Sequence, residues 1–299
     1  MAGLWLSSST SPGSGRASGI PHQEFVVPLL VCDAVRHALY VAPFGELADP
    51  RSVVEVAVAA EDRGWDGLFL WDHIWRPPDR SKSVGDAWIA LAAIATQTSR
   101  MRIGPMVVPL ARRRPQKVAR ESVALDHLSG GRLTLGVGLG VNTGGELRRF
   151  GEVVDDRERG AVLDEALDVL LALWSGEEVH HKGPHFTAEG VRFQPTSLQQ
   201  PRIPLWGAAR ATSGIGPLRR AARLDGIFPV GTSSEQLKRM LATIGEVRGT
   251  LDDFDVAMIN PQDAQTGPLE DLGVTWSIRS IPDDVSLAQA IQIASTFPD

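Results

Sequence analysis

The sequence predicts an α/β protein: a (β/α)8 barrel of the TIM type with an inserted hairpin around 178–201. Three observations carry this expectation. From Arg36 onward, short apolar runs alternate with segments of helical period, the pattern of a parallel sheet covered by helices. Eight runs can be counted, each followed by a segment able to form a helix. The chain has 299 residues, and such a barrel needs roughly 250 as one unit. An open doubly wound sheet is the rival. It calls for a glycine fingerprint directly after the first strand, and none stands there.

The elements follow in order. The first strand is expected at 38–44. Asp49 then caps a helix with Pro50 at its first position, and Gly64 closes it, an arrangement that satisfies the free amides and carbonyls at helix ends. Val53, Val54, Val56, Ala57 and Ala60 give that helix its apolar stripe. Strand two is 67–71, followed by a helix over 88–98. Strand three is 101–108 and its helix 115–128, stopped by Gly130 and Gly131. Strand four is 132–137. The clearest helix spans 155–175, with Leu163, Ala166, Leu167, Leu170 and Trp174 at helical spacing. The stretches 179–186 and 191–193 read as the inserted hairpin. Strand five is 204–208 with a helix around 218–224, and strand six is 226–230. Ser233 with Gln236 then forms a capping-box pattern. Strands seven and eight are 254–259 and 275–281, and a last helix covers 285–295.

Residues 1–35 differ from the rest. The Ser/Gly-rich stretch 7–19 has no periodicity and reads as part of a disordered N-terminal extension, an additional element packed on the barrel being the alternative. The barrel domain is expected over 36–299. A net charge of −6 argues against nucleic acid as a partner. No apolar run reaches the roughly 18 residues of a membrane span. Cys32 is the sole cysteine, so neither an internal disulfide nor a thiolate metal cluster can be built. That points to a reducing, cytoplasmic setting. The expected partner is a small-molecule substrate, and a homodimer is allowed.

Barrels of this kind place chemistry at the carboxyl ends of their strands, so the residues after each apolar run are the candidates. His73 follows strand two and exchanges protons near neutral pH; a histidine merely hydrogen-bonded at a strand end is the alternative. Asp72 beside it points to the opposite face. Trp71 and Trp75 are candidates for a substrate pocket, whereas Trp88 sits on a helix and reads as core. Arg112, Arg113 and Arg114 precede a helix N-terminus, where positive charge is disfavoured. They read either as an anion site or as a solvated charge run. Gly136, Gly138 and Gly140 allow a flat ligand to approach or strands to pack closely; as a phosphate loop they are weak. His180, His181 and His185 lack partner carboxylates at metal-ligand spacing, so no metal is expected.

Taken together, these stretches resemble the bacterial luciferase-like family of flavin- and F420-dependent oxidoreductases. The segment from Ala59 through Glu61-Asp62-Arg63-Gly64-Trp65-Asp66-Gly67 to Trp71-Asp72-His73 is similar to the family's first helix and second strand. Leu125-Asp126-His127-Leu128-Ser129-Gly130-Gly131-Arg132-Leu133-Thr134-Leu135-Gly136-Val137-Gly138 is the most specific stretch, and Arg219 to Gly226 matches a later one. The resemblance implies an enzyme that binds F420, or alternatively FMN, at the strand ends. It implies that His73 sits at the ring edge and that a non-prolyl cis peptide near Met106 and Val107 backs the ring. Asp72, Gly138, Gly140 and Asn142 then contribute to the cofactor site, with the phosphate near Gly207, Ala208 and Ala209. F420-dependent sugar-phosphate dehydrogenases carry a glutamate where this chain has Val141, so sugar-phosphate oxidation is not expected. The segment 210–216 also departs from the family pattern. Hydride transfer between F420 and a small organic substrate is the expected activity, with the arginines suiting an anionic cofactor tail. An FMN-dependent monooxygenase and a non-catalytic flavin-binding barrel are the alternatives.

Overall fold

The computed structural model describes residues 35–77, 79, 83–259 and 269–297. The expected extension over 1–34 lies outside them. Nine strands form one sheet: β1 (Arg36–Val41), β2 (Gly67–Leu70), β3 (Arg102–Pro105), β4 (Val108–Pro109), β5 (Leu135–Gly138), β8 (Leu205–Arg210), β9 (Gly226–Val230), β10 (Asp255–Ile259) and β11 (Trp276–Ser280). The hairpin β6 (Glu178–Lys182) and β7 (Thr187–Arg192) stands apart as a two-stranded antiparallel sheet. The barrel order is β3-β2-β1-β11-β10-β9-β8-β5-β4, and the paired strands run parallel. Only Met106 and Val107, joined by a cis peptide bond, separate β3 from β4. The two pieces therefore form one stave, and the sheet starts and ends on it. A parallel bridge between Ile103 and Leu133 completes the ring, giving the eight staves the sequence predicts.

The helices are α1 (Pro50–Arg63), α2 (Ala87–Gln97), α3 (Pro115–Ser129), α4 (Glu146–Arg149), α5 (Asp156–Trp174), α6 (Ile215–Ala221), α7 (Ser234–Arg248) and α8 (Leu287–Ala294). Their ends follow the capping chemistry. The Asp49 side chain accepts from the Arg51 amide, and Gly64 adopts the left-handed conformation at φ 101°. Ser233 and Gln236 form the full capping box of α7. Val53, Val56, Ala57 and Ala60 are fully buried, each valine contributing about 1.5–3 kcal/mol relative to exposure. Helix α6 begins three residues earlier than its sequence suggests, and β5 three residues later. In the β5 case the cause is Arg132. Its guanidinium donates to the carbonyls of Ala95, Thr98 and Met101, which holds the chain before Leu135 against the α2 turn.

Several residues of the most specific sequence stretch thus do structural work. Asp126 accepts from the amides of Leu198 and Gln199, fastening the segment after the hairpin. Glu61 accepts from the amides of Ser99, Arg100 and Met101. Burial opposes its ionisation, yet those amides outweigh it and hold its pKa below the ordinary value.

Inside the barrel, Phe69, Trp206 and Trp276 pack together with ring centroids 5.3–5.8 Å apart, Trp276 edge to face with the other two. Asp255 accepts from both indoles at 3.2 Å. This plug fills the barrel interior. Gly104 is the tightest point of the wall, since a Cβ there would lie 1.8 Å from the Thr134 carbonyl oxygen. Gly104→Ala is expected to cost about 2–3 kcal/mol through overpacking and to lower the thermal midpoint by roughly 5–10 °C. An unchanged midpoint in a calorimetric scan would show that the stave relaxes freely.

Candidate active site

A cavity of about 860 Å³ opens at the carboxyl ends of the staves. The strand pleat decides what enters it. At the end of β2, His73 turns into the cavity and Asp72 turns outward. The Asp72 carboxylate accepts from Trp88 Nε1 at 3.3 Å and from Arg113 at 3.3 Å. Burial raises the Asp72 pKa, with Arg113 and Arg112 opposing that shift. Asp72 still lines the cavity, but its carboxylate is committed to α2 and to the segment before α3. Trp88 is buried, as a core residue should be.

His73 is held by a residue that the sequence reading did not single out. Its Nδ1 lies 2.7 Å from Oε2 of Glu146, at the start of α4. Glu146 Oε1 accepts from the Ile74 amide at 2.7 Å and from Arg112 at 2.9 Å. The Glu146 side chain is 2% exposed. Burial would raise its pKa. The hydrogen bond from His73, the Ile74 amide, the charge on His73 and the hydrogen bond from Arg112 together outweigh that and hold it at about 2. An ionised carboxylate only accepts, so Nδ1 carries the donated proton. The only sequence cue was a glutamate six residues beyond Gly140, across a loop whose path cannot be read from spacing.

Arg112 and Arg113 satisfy neither sequence reading, whereas Arg114 is exposed, as the solvated-charge reading expects. Arg112 is spent on Glu146 and on the Asp72 carbonyl. Arg113 pairs with Asp72 and Glu121 and lies over Trp88. Their charge is balanced by internal acids. Positive charge instead reaches the cavity at its other end, from Arg159 on α5, Arg210 and Arg220. Arg159 is 4% exposed, and its Nη2 has no hydrogen-bond partner. Arg220 is held by both oxygens of Asp164.

The remaining candidates divide. Met106, Val107, Gly138, Gly140 and Asn142 line the cavity. So do Ala208, Ala209 and Trp71. Asn142 also accepts from the Leu147 amide, which fixes the turn into α4. Gly207 packs behind the wall, where a Cβ would meet Ala221 Cα at 3.0 Å. Trp75 packs against the 144–149 loop, beneath the Arg149 guanidinium at 4.7 Å. Strand packing explains two of the strand-four glycines: a Cβ at 136 would lie 2.3 Å from Met106 Sδ, and one at 138 would lie 3.1 Å from both Val107 and Ala208. Val141 lines the cavity where the sequence resemblance led to a missing acid. In the hairpin, His181 binds Glu165 at 3.0 Å and His180 binds Glu178. Among the described residues no His/Cys/Asp/Glu group could hold a metal ion, and no helix is long and apolar enough to cross a membrane.

A cavity at the strand ends is where parallel barrels carry out chemistry, and His73 supplies this one with a proton-exchanging group. The protein is of the (β/α)8-barrel enzyme class. More narrowly, the chain belongs to the luciferase-like monooxygenase family, whose profile matches residues 28–259. It is 35% identical over 168 residues to an F420-dependent glucose-6-phosphate dehydrogenase of Gordonia bronchialis, covering 55% of this chain and 48% of that one. The chain thus spans about half the length of the curated relatives it matches. Among solved structures it resembles an F420-dependent secondary alcohol dehydrogenase in complex with an F420-acetone adduct. That likeness has a TM-score of 0.72 at 17% identity and covers 88% of this chain and 99% of that one. A long-chain alkane monooxygenase shares the fold at TM-score 0.66 and 20% identity, over 75% of this chain and 64% of that one.

Proposed function

We propose that the chain is an oxidoreductase that uses F420 for hydride transfer to or from a small organic substrate. The observation that carries the reading is His73, turned into the strand-end cavity and fixed by Glu146 at 2.7 Å. When bound, F420 supplies the carbon that accepts or releases the hydride. The side chains present fit it. Met106 and Val107, at the cis bond, offer a firm apolar wall, with Gly138 beside it. Arg159, with its unpartnered Nη2, and Arg210 would hold the cofactor's phosphate and anionic tail, with Arg220, itself paired to Asp164, lining the same end. Ala208 and Ala209 flank that end; Gly207 supports the wall from behind. Helix α6 has only seven residues, so guanidinium groups rather than a helix dipole supply the positive field there.

His73 would exchange a proton at Nε2 with the substrate oxygen. Glu146 accepts from Nδ1 and so fixes the ring with Nε2 as the exchanging atom. Tyr40 is half-buried and donates to the Met106 carbonyl at 2.6 Å. Burial raises its pKa well above 10, so it remains a neutral donor that braces the wall. Trp71 stands on the substrate side. A cytoplasmic location and action on a small molecule accompany this reading.

FMN is the competing cofactor, since FMN-type monooxygenases share the fold. Titrating the purified full chain with F420 and, separately, with FMN while following cofactor fluorescence tests the choice. Tight F420 binding without FMN binding is expected. The reverse result overturns the F420 reading and favours the monooxygenase.

A further inference from the structure

The cavity also has a second set of donors, close to His73 and away from the Arg159 end. The Trp71 ring lies 5.8 Å from His73 and 5.3 Å from Tyr40. Arg76, five residues along the same loop, is 7% exposed. Its guanidinium lies 4.9 Å over the Phe44 ring and donates to Asp283 Oδ2 at 2.7 Å. Trp71 Nε1 and Arg76 Nε are both buried without a partner. Buried N–H groups are rarely left so, and each one calls for a ligand or another explanation. Trp71, Arg76 and Asp283 all line the cavity.

We propose that this end binds the carboxylate of a small organic acid, with Arg76 releasing Asp283 to take it and Trp71 Nε1–H as a second donor. Arg76 already holds a carboxylate, so the planar fork that suits Asp283 suits an incoming acid equally. Asp283 is 37% exposed and can turn to water, whereas Arg76 cannot. The rings of Tyr40 and Trp71 favour a flat, unsaturated body between the carboxylate and His73. A neutral alcohol or ketone would leave both donors unserved. This deepens the oxidoreductase reading by naming its substrate class, and it rests on His73 as the reacting end.

The test uses benzoate and its neutral isostere benzamide as probes, titrated calorimetrically into the full chain, with F420 binding followed separately by fluorescence. Benzoate is expected to bind at least about tenfold more tightly than benzamide, the value of one charge-assisted contact. Arg76→Gln should remove that preference. Asp283→Asn, which frees Arg76 without disturbing its packing, should tighten benzoate severalfold, and it decides the matter if the arginine variant does not fold. Equal binding of the two probes, or no tightening in D283N, overturns the carboxylate site. F420 binding that persists while the benzoate pattern fails removes only this inference. Loss of F420 binding alongside the expected benzoate pattern removes only the cofactor assignment.

Discussion

Replacing His73 with alanine is expected to lower kcat by about 10²–10⁴-fold, the contribution of a positioned general acid or base. F420 should still bind, because the walls at Met106, Val107 and Arg159 remain. The expectation follows from the geometry on both sides of the ring. Nδ1 is committed to Glu146 at 2.7 Å, and the imidazole is caged by Trp71 and Phe44, each 5.8 Å away. The ring therefore presents one nitrogen to the cavity. Steady-state turnover of the F420-loaded variant measures the effect. Turnover equal to that of the unsubstituted chain would remove His73 from the reaction.

Glu146→Ala is expected to have the largest effect on stability, about 3–5 kcal/mol, because it leaves a buried cation and a buried amide without their acceptor. Arg112 is 8% exposed at its side chain, and the Ile74 amide has Glu146 as its acceptor. The pH dependence has a definite sign. Glu146 has its pKa depressed from 4.5 to about 2, so its stabilisation is fully present above about pH 4.5. It is lost as pH falls toward 2, where the folded chain must also take up the proton. The depression is worth about 3 kcal/mol at roughly 1.4 kcal/mol per pH unit. Urea unfolding at pH 7 and at successively lower pH should show the gap between the two proteins closing between about 4.5 and 2. A gap that stays constant over that range would mean that the carboxylate contributes through packing and not through its charge. Glu146→Gln separates the roles further. It retains an acceptor for Ile74 but loses the negative charge beside His73 Nδ1 and Arg112, so its activity should fall more than its stability.

Much of the barrel was legible in the chain because strand and helix periods are local properties. Asp49, Pro50 and Gly64 bracket α1 as their capping chemistry requires, and the Ser233–Gln236 box begins α7. The divergences come from contacts made at long range. Arg132 draws the start of strand four to carbonyls of α2 and its end, which no window of sequence contains. The break in the third stave falls at Met106–Val107, where the family resemblance placed a cis bond although the strand period alone reads as continuous.

The site divided along the same line. His73 lines the cavity beyond the second strand, where its sequence position puts it, whereas the Asp72 carboxylate, which the resemblance assigned to the cofactor site, is taken up by Trp88 and Arg113. Glu146 was not found, because 73 residues separate it from His73 and only the folded loop joins them. The arginine cluster at 112–114 was read for its charge, but the charges of Arg112 and Arg113 are offset by Glu146, Asp72 and Glu121. Neutralisation depends on which acids the fold brings near, and sequence distance does not encode that. The sequence by itself determined the barrel, the family resemblance and the histidine at the end of the second strand, since each rests on neighbouring residues. Only the tertiary structure decided which acid holds that histidine and which guanidinium groups face the cavity, because those pairings join residues that meet only when the barrel closes.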